Sequence, residues 1–155
     1  MTLVYLYGVV PPEGAASIAG AGLRGIAGGP VRAVAGPGVA GVVSDVPAAE
    51  FGQEALDRNV ADTEWLAPHA AAHQDVNAAL LDATGAVLPL AFGTIFRSDD
   101  RVREVLGARS AELVAGLAAV AGRVEWVATL DRDRRAASAY LAGTRSAPPP
   151  DAGQG

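Results

Sequence analysis

The chain opens on an apolar run, Leu3 to Val10, rich in β-branched and aromatic residues and stopped by Pro11-Pro12. That pattern predicts a strand. Both alternating sets are apolar, with Leu3, Tyr5, Tyr7 and Val9 on one side and Val4, Leu6 and Val10 on the other. Such a strand is central in its sheet and covered, at least in part, on both faces. Residues 13–24 can hold a short helix, weakened by Gly14, Gly20 and Gly22 at about 1 kcal/mol each relative to Ala. Val31–Ala35 and Val39–Val43 form two short strands around Gly36-Pro37-Gly38, a Gly-rich link of hairpin length.

Pro47 to Ala61 reads as short helical pieces, and the best helical pattern of the chain follows. Between Pro68 and Ala83, the residues His69, His73, Val76 and Leu80 share one face at steps of three and four. Trp65 extends the stripe if the helix begins earlier, and Pro68 predicts either a helix start or a kink. Thr84-Gly85 ends it. Ala86–Phe92 is a second apolar strand, and Pro89 within it removes a ladder donor, so this strand is at an edge, bulged or short. Ser98 then caps a helix whose first turn carries Asp99 and Asp100. Its apolar stripe is Val102, Val105, Leu106, Leu113, Leu117 and Val120, with a break expected near Gly107. Val124–Leu130 alternates like a half-buried strand, and Arg132–Ala142 reads as a last helix.

The element order predicts an α+β fold: a ferredoxin-like (split β-α-β) sheet with helices mainly on one face, plus an added helix-strand-helix. One domain is expected over residues 1–142, with a truncated C-terminal helical part. Residues 143–155, rich in Pro and Gly, are expected to be a disordered tail.

Composition narrows the function classes. A chain of 155 residues can bury a core without covalent staples. It has no Cys, which removes disulfides, thiolate metal sites and cysteine nucleophiles together. Half of its residues are hydrophobic, but Ala supplies the largest share and aromatics are only 5%. All twelve positive charges are Arg, and the net charge of −5 disfavours nucleic acid and anionic lipid membranes as partners. No apolar run approaches the roughly 18–20 residues of a spanning helix, and the N-terminus has no signal-peptide pattern. A cytoplasmic location is expected.

Three sets of residues carry candidate chemistry, and each also has a structural reading. Gly20-Ala21-Gly22-Leu23-Arg24-Gly25 fits G-x-G-x-x-G, with Asp45 about twenty residues on. The motif needs a strand end just before it and a helix start just after it, whereas the preceding strand stops near Val10. His69 and His73 are spaced to share a metal, but Ala70 stands where a zincin carries its Glu. A packed, hydrogen-bonded pair is the ordinary outcome for histidines on an apolar face. Ser44 lacks the flanking glycines of a nucleophile elbow, and it or Asp45 is expected to cap the next segment. No catalytic residue, cofactor site or metal site is assigned.

Five stretches, in order, resemble one family, the gas vesicle F/L accessory proteins. They are Val4-Tyr5-Leu6-Tyr7-Gly8-Val9, then Gly41 to Pro47 with Glu50-Phe51 behind, then Trp65-Leu66 with His73. Val87-Leu88-Pro89-Leu90-Ala91-Phe92-Gly93-Thr94-Ile95-Phe96 is similar to the family's "VLP-x-x-FGT-x-F" signature, and Val124-Glu125-Trp126 to its "EW" strand. Ala91 and Thr129 depart from the Arg and Lys often found there, and members usually have a longer helical C-terminal part. The resemblance implies a non-enzymatic accessory protein of gas vesicle assembly, located in the cytoplasm or at the gas vesicle. Its implied partners are the hydrophobic shell protein, kept from aggregating and assisted in nucleation or shell formation, and other accessory proteins. Tyr5, Tyr7, Phe92, Phe96 and Val127 are the expected partner contacts. The alternative is a small-molecule-sensing ferredoxin-like module, since such domains bind ligands at sheet edges.

Overall fold

The computed structural model describes residues 1–121 together with 150, 151, 153 and 154. Contacts divide the chain into a unit Met1–Ala118 and a second unit Ala119–Gly155. In the second, Pro150–Asp151 pairs with Gly153–Gln154. The expected strand at 124–130, the helix at 132–142 and most of the tail lie outside the described residues.

The first unit is built on strand β1, Thr2–Val10, which pairs antiparallel with β3, Val39–Pro47. Strand β2, Arg32–Gly36, pairs with the far edge of β3 through a tight turn at Pro37-Gly38. Pro followed by a Gly at φ 76° is the usual occupancy of a type II turn. On the other side of β1 lie two fragments, β4 (Leu88–Pro89) and β5 (Ile95–Phe96). The order is β2-β3-β1-β4, with β5 also against β1. Pro89 explains the division: a residue without an N–H cannot extend a ladder. The chain leaves the edge after Pro89, turns at Phe92-Gly93 and returns as β5.

Strand β1 is central and buried along both sides, as its double apolar alternation predicts. Its face assignment differs at one end. The register slips between Leu6 and Gly8, where Leu6 faces Val43 but Gly8 faces Val42. One extra residue in a strand reverses the facing of everything after it. Val10 therefore joins Tyr5 and Tyr7 in one core cluster with Ile18, Val42, Phe51, Val76 and Leu80, while Val9 lies opposite Gly41 on the reverse side.

Helices cover both sides. Helix α1, Ala15–Ala21, follows a 3-10 turn at Pro12–Gly14 and sends Ile18 into the cluster. Two short helices come next, α2 (Ala48–Phe51) and α3 (Gln53–Asn59). Helix α4, Thr63–Thr84, begins earlier than Pro68 because the Asp62 side chain caps it by accepting from the Glu64 N–H. Pro68 is thus inside the helix, and Gly85 in the left-handed region closes the far end. On the reverse face, α5 (Asp99–Ala108) packs Val102 and Leu106 over Leu6, Gly36 and Gly41. Ser98 caps it through the Arg101 N–H. The helical stretch pauses at Arg109 and resumes at 110, two residues beyond the expected break. Arg32 ties α5 to the sheet, holding Asp99 at 2.7 Å and Asp45 at 3.0 Å.

Leu106 is fully buried between α5 and a sheet face lined by glycines. Leu106→Ala is expected to cost about 2–5 kcal/mol of stability, read as a lower urea midpoint at unchanged slope.

Candidate functional site

Tyr5 and Tyr7 project from β1 toward α4 with ring centroids 4.7 Å apart, and neither has any exposed surface. A buried phenol is tolerated only when its hydroxyl is hydrogen-bonded. The Tyr5 hydroxyl donates to His73 Nδ1 at 2.8 Å and accepts from the Gly93 N–H at 3.1 Å. His73 Nε2–H in turn donates to the Leu90 carbonyl at 3.1 Å, which fixes the neutral tautomer. The Tyr7 hydroxyl pairs with Ser44 Oγ at 2.6 Å and accepts from the Ile26 N–H at 2.8 Å. Asn77, one turn beyond His73, donates to the Tyr7 carbonyl.

Burial raises both phenols above their ordinary pKa and lowers that of His73, the last opposed by its bond to Leu90. The cluster is therefore held uncharged. Phe51, Trp65, His69 and Phe92 surround it. Phe92 meets Tyr5, His73 and Trp65 edge-on, and Trp65 stacks on His69 at 3.9 Å. His69 Nδ1–H donates to the Trp65 carbonyl at 2.6 Å. Both histidines are thus committed to internal bonds, the ordinary outcome.

Two other candidates also resolve into structure. The Gly20-x-Gly22 pair ends helix α1, with Gly22 at φ 65° as its C-cap, the reverse of the strand-to-helix junction that binds a pyrophosphate. Gly25 matters for space: a side chain there would collide with Ser44 Oγ and the Tyr7 hydroxyl. Ser44 and Asp45 lie within β3 and cap nothing, because the strand runs to Pro47. Gly8 is likewise required by crowding, as a Cβ would sit 2.8 Å from Asn77 Oδ1 and 2.9 Å from the main-chain carbonyl oxygen of Leu88.

The expected contact residues separate. Tyr5 and Tyr7 are core residues, wholly buried with their hydroxyls bonded internally. Phe92 and Phe96 are half-buried, and Val127 lies outside the described residues. Phe96 lines an open groove of about 630 Å³ beside β5, together with Leu3, Phe51, Leu56 and Ile95. Gln53, Gly93, Arg97 and Arg101 complete its walls. Sequence reasoning missed Leu3, Leu56 and the two arginines. The available signal was local: Arg97 follows Phe96, and Arg101 is one helical turn further on.

Residues 3–149 match the family described as "Gas vesicle synthesis protein GvpL/GvpF". A protein named gas vesicle protein L, from Streptomyces sp. (strain CB03234), is 36% identical over 130 residues. That alignment covers 80% of this chain and 46% of the relative, so the chain spans about half the relative's length. The crystal structure of gas vesicle protein GvpF from Microcystis aeruginosa aligns with a TM-score of 0.48 at 22% identity. It covers 72% of this chain and 40% of that one.

The His73 environment makes stability depend on pH. Its folded pKa is depressed, so the unfolded chain takes up the proton first as pH falls below about 6.5. The contribution is complete above that pH and is lost progressively below it. His73→Gln is expected to flatten this dependence and to cost about 1–3 kcal/mol at neutral pH, measured by urea unfolding from pH 5 to 8. Gly25→Ala is expected to destabilise by about 1–3 kcal/mol through overpacking. Gly20→Ala, with nothing within 4 Å of the new methyl, is expected to be neutral or stabilising in the same assay.

Proposed function

This chain belongs to the gas vesicle synthesis protein GvpL/GvpF family, and from that premise we propose that it is a non-enzymatic accessory protein of gas vesicle assembly. It binds the hydrophobic shell protein in the cytoplasm, limits its aggregation and assists nucleation or shell formation, alongside other accessory proteins. The observation that carries this reading is the groove beside β5. Leu3, Leu56, Ile95 and Phe96 present apolar surface there, on a sheet edge where, among the described residues, no further strand lies outside β5. A shell subunit exposes aggregation-prone apolar surface before it assembles, and an apolar groove at a strand edge is suited to covering it.

The architecture supports a ferredoxin-like reading as well. The order β2-β3-β1-β4 is antiparallel throughout, with α1 crossing from β1 to β2 and α4 crossing from β3 to β4. Both crossovers pack on the Tyr5–Tyr7 side. Among the described residues the sheet ends in a β2 edge and a β4–β5 edge, and the apolar groove lies at the second. Tyr5 and Tyr7 are buried, whereas Phe96 is half-buried and lines the groove, which supports Phe96 as a contact.

Co-purification with the gas vesicle shell protein tests this. Phe96→Asp and Leu56→Asp are each expected to lower capture about tenfold or more, with circular dichroism unchanged. Val60→Asp, at an exposed position away from the groove walls, is expected to leave capture intact. Equal capture by all three variants would remove the groove from the reading.

A further inference from the structure

The groove carries more information than its greasiness. Five of its walls are apolar, yet its charged side chains are both positive: Arg97, which follows β5, and Arg101, in the first turn of α5. Among the described residues no carboxylate lines it. In a chain whose net charge is −5, two arginines converging on one apolar groove form a local reversal of sign. Arg97 has no ion pair among the described residues. Among the described residues Arg101 pairs with Glu104 alone, an i,i+3 pair exposed at both ends. Pairs of that kind are weak and exchange readily.

The backbone gives the direction. The Leu6 N–H donates to the Thr94 carbonyl across the β1–β5 junction at 2.9 Å. Polar groups of successive strand residues alternate in direction, so those of Ile95 point away from β1. Among the described residues no strand covers that side. Along β4 the neighbouring stretch of the same edge is blunted by Pro89, which has no N–H to offer. Strand addition is therefore possible at β5 and poor at β4.

Resting on the reading that the chain holds an assembly partner, we propose that the groove beside Ile95–Phe96 binds an extended segment of that partner that is both apolar and acidic. The segment pairs with the Ile95 backbone and seats apolar side chains against Leu3, Leu56 and Phe96. It sets a carboxylate between Arg97 and Arg101. The apolar contacts supply affinity; the arginines select an acidic partner segment over a basic one and fix its register.

The full chain can be tested with capped octapeptides that alternate Val with Glu, Gln or Lys, followed by fluorescence anisotropy. The Glu peptide is expected to bind about tenfold or more tighter than the Lys peptide, and to lose most of that preference at about 0.5 M salt. The double variant Arg97→Glu, Arg101→Glu is expected to invert the order with thermal unfolding unchanged. An Arg97→Gln, Arg101→Gln variant is expected to abolish the preference without inverting it. Absent binding, equal binding of the Glu and Lys peptides, or an unaltered order in the double variant would overturn the proposal. Capture of the shell protein is measured in parallel. If the peptide preference holds and the shell protein is not captured, the assembly reading fails while the groove's selectivity stands. If the shell protein is captured equally well by the double variant, the groove is not where it binds.

Discussion

Tyr5 and Tyr7 carry polar tips into the part of the molecule where an unpaired hydroxyl costs most, and the groups that answer them come from separate stretches of chain. His73 stands on α4, Ser44 on β3, Ile26 in the loop after α1, and Gly93 in the turn between β4 and β5. Each bond is worth about 1 kcal/mol net; their larger effect is on arrangement. A shift of α4 along the sheet would leave a phenol or an imidazole unsatisfied, so the set favours one placement of helix against strand. The turn at Gly93 is part of that set, through the Tyr5 hydroxyl. Since this turn delivers β5, the buried network also fixes where the exposed edge lies.

The bulge in β1 is the second constraint on that arrangement. It lets Tyr5, Tyr7 and Val10 share the α4 side while Leu6 and Val9 serve the α5 side. Gly8 sits at the slip, pressed between Asn77 and β4. A regular strand would send Val10 to the α5 side and bring Val9 to the α4 side. Crowding at Gly8 and the bonds from Asn77 to the Tyr7 carbonyl and from the Leu90 N–H to the same atom all act on this short stretch. The strand, its bulge and the start of the edge fragments thus form one coupled region.

Much of this was legible in the chain. Strong periodicity located β1, α4 and the β2–β3 hairpin, Ser98 marked the start of α5, and Pro89 announced an interrupted edge. The bulge was not legible, because residues on both sides of β1 are apolar and a parity change leaves no mark in such a run. The burial of Tyr5 and Tyr7, expected as partner contacts, was hard to read for a related reason. A tyrosine satisfies either environment, and the partners that decide between them, Ser44 and His73, are 37 and 68 residues away. Ser44 itself looked like a cap only because the end of β3 was placed four residues early. The groove was hidden more deeply, as its walls come from β1, α2, α3, β5 and α5 and share no single periodic pattern.

These observations divide the signature segment 87–96 into two kinds of residue. Leu90 and Gly93 offer backbone groups to His73 and Tyr5, and Phe92 packs its ring on the same pair. Ile95 and Phe96, two residues further on, turn to the groove. One short stretch therefore anchors the core and also forms the edge, with Ile95 packed on the core cluster as well as lining the groove. A substitution at Phe92 acts on the edge through the fold, while one at Phe96 acts on whatever binds there. Loss of binding at Phe92 and at Phe96 would consequently have different physical causes, and only the second would report on the contact itself.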